Sequence, residues 1–184
     1  NILFSGNILG PLFPTFPNLY TIRGDKYRFA DAYIETVDML IELQPEMLIT
    51  GHFDPIVGRD HIAQELRRLR DAVAYVLEET LKGMNAGKSP DELMREVQLP
   101  AHLSVDERYG KVAWGVRAIF EGYGGWFHFD STTELLSQAP WSVYRDVAAL
   151  AGTEALTNRA RDYLEKNAPG EAIQLAEMAL AADP

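Results

Sequence analysis

Residues 47–86 read MLITGHFDPIVGRDHIAQELRRLRDAVAYVLEETLKGMNA. The first four, Met47-Leu48-Ile49-Thr50, form an apolar run of strand length. Gly51-His52 and the turn-forming pair Asp54-Pro55 close it. After Gly58 the pattern changes. Ile62, Leu66, Leu69, Val73 and Val76 recur at four- and three-residue spacing, which is the period of one helix face. A single long helix is therefore predicted over 59–86, with a seam for another helix and Gly87 as its stop.

Upstream, Ile2-Leu3-Phe4 reads as a short strand. Prolines 11, 14 and 17 then forbid a helix, because proline lacks the amide donor and clashes with the preceding turn. A long irregular loop is expected up to residue 25. Phe29, Tyr33, Val37, Leu40 and Ile41 predict a helix over 26–45, ended by Pro45. Strand, loop, helix, strand is an α/β layout, here the closing third of such a domain.

Downstream the chain is helical. Ser89-Pro90-Asp91-Glu92 has the form of a capping box with proline at the first helical position. Ser104-Val105-Asp106-Glu107 offers a second box, predicting a helix over 106–121 with Val112, Val116, Ile119 and Phe120 on its apolar face. Gly122, Gly124 and Gly125 should break it, and the aromatics of GYGGWFHF (122–129) should plug a helical core. Ser131 with Glu134 marks a further turn. Helices are predicted at 142–151, 153–167 and 170–182, with Thr153 capping the second and Pro169-Gly170 dividing the last two. Alanines 172, 176 and 179 favour close helix packing, and this ending resembles the second helix of a tetratricopeptide repeat. One such repeat cannot bury its own face.

The 184 residues are 47% hydrophobic and 24% charged, a globular composition. The net charge of −10 excludes a role on phosphate backbones or anionic lipid, which need basic patches. No apolar run reaches the roughly 18 residues needed to cross a bilayer. Nucleic acid and membrane insertion are thus not expected. Cysteine is absent, so thiolate metal ligands are too. The chain opens on Asn1 and closes at Pro184, and both ends are expected to be cuts in a longer protein.

Four histidines stand at 52, 61, 102 and 128, none paired at metal-ligand spacing. His52 follows a strand, where α/β domains expose reactive side chains, but it also fits a loop histidine bonded to backbone. His102 and His128 read as surface or capping residues. Arg23 can fork onto a sulfate, phosphate or carboxylate, or pair with Asp25. Asn7, in Ser-Gly-Asn, fits turn chemistry or a ligand contact.

The strings FPNLYTIRG (16–24) and LITGHFDPIVG (48–58), separated by a helix, resemble the end of a metallo-β-lactamase-fold domain of the alkyl-sulfatase-like branch. RDAVAYVLEETLKGMNAGKSPDELMREVQLPAHL (70–103), YGKVAWGVRAIFEGYGGWF (109–127) and the EAIQLAEMALAADP ending are similar to that branch's dimerisation domain. The resemblance implies a parent hydrolase that cleaves a small-molecule sulfate ester or related ester by metal-activated water. It implies two metal ions, usually zinc, in the cleft of an αββα sandwich. His52 matches the last metal histidine and Arg23 the arginine near the anion site, with Asn7 a second substrate-binding candidate. Ser5-Gly6-Asn7 falls where many relatives carry a bridging carboxylate, and Gly6 and Asn7 cannot replace its charge.

The expected architecture is mostly α. Residues 1–58 form the α/β remnant of a metallo-β-lactamase domain, 59–140 a helical dimerisation domain, and 141–184 its tetratricopeptide-like end. One histidine cannot hold a catalytic zinc, which needs three protein ligands even in open sites. The chain alone is therefore expected to be inactive and to form a homodimer. The alternative is a non-catalytic interaction module. The resemblance places the parent in bacteria without choosing between cytoplasm and periplasm or secretion.

Overall fold

The structure is a computed structural model that describes residues 1–10, 12–19, 28–129 and 131–182. It is mostly α-helical with a small N-terminal sheet, as the sequence patterns predict. It divides into two compact units, Asn1–His128 and Phe129–Pro184.

In the first unit, β1 (Ile2–Phe4) pairs parallel with β2 (Met47–Ile49), and helix α1 (Ala30–Glu42) lies between them in the chain. Parallel neighbours need such a crossover. β3 (Ile56–Val57) adds antiparallel to β2, giving the order β1-β2-β3. The sequence reading put only a turn at 54–55; a two-residue strand has no periodicity to detect. Helix α2 (Arg59–Asn85) carries the predicted seam, with Ile62, Leu66, Leu69, Val73 and Val76 all fully buried. It packs on α1 and on α4 (Val112–Gly124). The Arg70 guanidinium forks onto Asp38 (Nε to Oδ1 3.0 Å, a second nitrogen to Oδ2 3.2 Å), fastening α2 to α1. The sheet and the helices of this unit contribute to one buried cluster.

Gly87, at φ +77°, ends α2 in the left-handed region that glycine enters without penalty. Helix α3 (Pro90–Glu96) starts with the predicted capping box. The Ser89 N–H donates to the Glu92 carboxylate at 2.8 Å, and the Glu92 N–H donates to the Ser89 hydroxyl at 3.3 Å. The Ser89 amide is the main cause holding the Glu92 carboxyl below the ordinary range. Ser89→Ala is expected to destabilise the protein by about 1 kcal/mol, read from chemical denaturation midpoints.

The second predicted box does not form. Ser104 ends a short 3-10 turn (Ala101–Leu103), and α4 begins only at Val112. Residues 104–111 are instead claimed by the proline-rich loop. The Phe16 N–H donates to the Asp106 carbonyl at 2.7 Å, and Thr15 bridges to Asp106. The Asp106 carboxylate accepts from the Arg108 N–H at 2.7 Å, which holds its pKa down. Glu107 reaches forward and caps α4 by accepting from the Val112 N–H at 3.1 Å. Gly110 lies buried against the Phe16 and Pro17 backbone. A tertiary partner outcompetes the local box here. Gly122 and Gly124 stay within α4, which stops at Gly125. Tyr123, within α4, and Trp126, just past its end, are exposed rather than plugging a core.

In the second unit, 3-10 turns at Thr132–Leu135 and Pro140–Val143 lead into α5 (Tyr144–Ala151), α6 (Thr153–Glu165) and α7 (Pro169–Ala182). The Ser131–Glu134 box is present. Gly152, not Thr153, occupies the α6 cap position, and Pro169 opens α7 instead of standing before it. Proline suits that position because the first helical amide has no partner to lose. α7 packs against both α5 and α6, and Ala148, Leu156, Ala160 and Ala172 are buried. Those are mostly small residues. The large apolar ones lie outside: Trp141, Leu150, Leu164, Ile173 and Leu180 are exposed, Leu150 at 90%.

Candidate functional site

The parallel pairing of β1 with β2 brings two sequence-distant turns together. Both strands end at the same level, Phe4 opposite Ile49, and the Ser5 N–H donates to the Ile49 carbonyl at 3.0 Å. Ser5-Gly6-Asn7 therefore lies beside Thr50-Gly51-His52. The contact is close: a Cβ on Gly51 would stand 3.6 Å from the Gly6 Cα and 3.7 Å from the Asn7 side-chain oxygen. Two of the sequence-predicted residues, Asn7 and His52, thus flank one glycine. Arg23 lies outside the described residues.

His52 is exposed and lines a cleft of about 140 Å³ with Phe13, Thr50, Asp54, Ile56 and Arg108. The turn carrying it is constrained. Gly51 has φ +90° and Phe53 φ +62°, the latter in a region that non-glycine residues rarely occupy. The buried Thr50 hydroxyl donates to the His52 carbonyl at 2.9 Å. Arg108 faces the same cleft, with its guanidinium paired to the Asp106 carboxylate.

Asn7 opens instead onto a larger cleft of about 390 Å³, whose walls include Leu19, Phe29, Tyr33 and Tyr109. The Tyr33 hydroxyl is buried there with no hydrogen-bond partner among the described residues, and burial pushes its pKa well above the ordinary phenol range. The two candidates therefore share a backbone junction but not a cavity.

His52 offers one imidazole at this end of the sheet. An imidazole at a strand end is a common zinc ligand. Among the described residues, no group of three or more His, Asp or Glu side chains could hold a metal ion. His61 and His102 are exposed on separate elements. His128 is not a surface residue as its loop position implied; its side chain is 10% exposed, with Nε2 3.6 Å from the Glu121 carboxylate and its ring edge-on to Phe120. Sequence reading missed Thr50 and Arg108 as neighbours of His52. Thr50 could have been noted as a hydroxyl two residues before it, whereas Arg108 arrives only through the tertiary clamp on the loop.

Comparison with known proteins assigns the class. The alkyl sulfatase dimerisation family matches residues 89–184, just over half of the sequence. The chain belongs to that family, within the alkyl-sulfatase-like branch of the metallo-β-lactamase-fold superfamily. Its particular relatives are alkylsulfatases. A linear primary-alkylsulfatase of Pseudomonas sp. (strain ATCC 19151) is 40% identical over 122 residues, covering 64% of this chain and 23% of that protein. An (R)-specific secondary-alkylsulfatase of Pseudomonas sp. is 29% identical over 181 residues, covering 93% of this chain and 27% of that protein. The solved stereoselective inverting sec-alkylsulfatase Pisa1 from Pseudomonas sp. superposes with a TM-score of 0.84 at 26% identity, over 100% of this chain and 30% of that one. The chain thus spans about a quarter of the length of the curated relatives it matches. Among the described residues no helix is long and apolar enough to cross a membrane.

Proposed function

We propose that the chain is the C-terminal part of a metal-dependent hydrolase of the alkylsulfatase type, acting on a sulfate ester or related ester, and that its helices hold two copies together. The assembly reading is carried by one observation. Trp141, Leu150, Ile173 and Leu180 lie exposed in a unit whose interior is filled mainly by alanine. Large apolar side chains left in solvent are candidates for an interaction surface, and the family match supports a surface between two copies. The mass in solution tests it. Light scattering is expected to give about twice 20.6 kDa, and a sharp monomer across the micromolar range would reject the homodimer.

The sheet supports the hydrolase reading. Among the described residues β1 is an edge strand of a partly parallel sheet, with Ile2 and Phe4 exposed. Parallel strands are ordinarily covered on both faces, so further strands and helices of a larger domain would pack here. His52 would hold one of two zinc ions. Arg23, read from the sequence alone, and the Asn7 amide would meet the anionic end of the substrate. Bound zinc supplies Lewis acidity and a water of lowered pKa. The chain's own contribution at this end is to carry the imidazole on the turn that ends β2, with the Asn7 side chain on the far side of Gly51.

A second reading, a non-catalytic assembly module, is favoured by Gly6-Asn7, which sets no carboxylate next to His52. Zinc binding by the full-length protein separates the two: the hydrolase reading expects stoichiometric metal that weakens on His52→Ala.

A further inference from the structure

We infer that the cleft of about 390 Å³ beside α1 is a binding site for an aliphatic alcohol, recognised by the Tyr33 hydroxyl and the Asn18 side-chain oxygen. The inference goes beyond the hydrolase reading and needs no metal. The volume lies in the range of small-molecule clefts. Ile8, Leu19, Phe29 and Tyr109 give it apolar walls. Two oxygens of the lining residues stand out against them. Tyr33 is 5% exposed, and its hydroxyl has no hydrogen-bond partner among the described residues. The Asn18 Oδ1 is likewise buried without a partner. A buried polar group left unmet costs free energy, so two of them on one cleft call for a partner from outside the chain.

The pair selects the ligand. A phenol hydroxyl both donates and accepts, whereas an amide oxygen only accepts. Burial holds the Tyr33 phenol in its neutral form. The complement is one group that accepts from Tyr33 and donates to Asn18, which is a hydroxyl on an apolar body. An ionised carboxylate or sulfate has no proton for Asn18 and would lose its hydration against these walls. Among the described residues no carboxylate lines the cleft to receive an ammonium ion, and the charged side chain there is Arg28. Arg28 is exposed and its guanidinium donates to the Asn18 backbone carbonyl at 3.3 Å, so its charge stays in solvent. Tyr33 lies on the buried face of α1 with Ala30 and Val37, which fixes its ring before a ligand arrives.

The test titrates octanol into the 184-residue chain by calorimetry, with heptyl methyl ether and sodium octyl sulfate beside it. The ether is an isomer of octanol that accepts a hydrogen bond and cannot donate one. Octanol is expected to bind at one site per chain, with the ether and the sulfate each at least about fivefold weaker. Tyr33→Phe keeps the ring and is expected to weaken octanol about tenfold. Because the lost hydroxyl has no partner in the chain, the ligand-free variant should melt no lower than the parent. Ala32→Phe fills the cleft from an exposed position on α1 and should abolish binding. No binding of octanol overturns the inference, and so does octanol bound equally well by Tyr33→Phe or by Ala32→Phe. Octyl sulfate or the ether bound as tightly as octanol rejects the alcohol as the ligand class. A Tyr33→Phe chain that melts well below the parent gives the hydroxyl a structural role instead. None of these outcomes involves zinc, so the hydrolase reading stands or falls separately.

Discussion

Gly110→Ala is expected to lower stability by about 3 kcal/mol, a fall in melting temperature of about 6–12 °C for a chain of this size. The glycine is buried where residues 104–111 cross the proline-rich loop. An added Cβ would stand 2.6 Å from the Pro17 carbonyl carbon and closer still to the carbonyl oxygens of Phe16 and Pro17. These are backbone atoms, so no rotamer change relieves the overlap. The loop cannot retreat either: the Phe16 ring is fully buried, packed on Gly115 of α4, and the Phe16 amide is bonded to Asp106. The variant should lose protection of the Phe16 amide in hydrogen exchange while the second unit keeps its own. A Gly110→Ala protein that melts with the parent would show that this crossing does not hold the first unit together.

The second large effect is on assembly. Replacing Leu150 with Glu and Trp141 with Ser places a charge and a hydroxyl where the second unit now exposes an aliphatic and an aromatic side chain. Apolar anchors at an interface contribute about 2–4 kcal/mol each to association, so with both replaced the dimer should dissociate about a thousandfold more readily. Neither residue is buried within the unit, so helical content and melting of the separated chains should change little. Sedimentation velocity across a dilution series reads the outcome. An unaltered dissociation constant would show that Trp141 and Leu150 lie outside the interface.

Local signals in the sequence held and non-local ones did not. The Ser89 box needs only four consecutive residues, and the structure forms it atom for atom. The α2 seam likewise follows from a period that runs the length of one helix. The Ser104 box has the same letters and fails, because Thr15 and Phe16, far back in the chain, take the Asp106 backbone. Thr153 fails for a nearer reason: Gly152, at φ +84°, both closes α5 and occupies the α6 cap. For the candidate site, His52 could be singled out from its place after a strand, and Asn7 from its turn. Their apposition across Gly51 could not be read, since it depends on which strands pair and in what register. The separation of their cavities was equally out of reach, with Tyr109 lining the one and Arg108 the other.

The parallel ladder between β1 and β2 also dictates an order of events. Ile2, Leu3 and Phe4 find their partners only at Met47, Leu48 and Ile49, with the whole of α1 and the proline-rich loop in between. The loop entropy of that closure must be overcome before any ladder bond rewards it. A ribosome must therefore expose the second strand before the first can dock. Until then, Gly6-Asn7 and His52 are strangers, and whatever chemistry they share begins only when this late closure is complete.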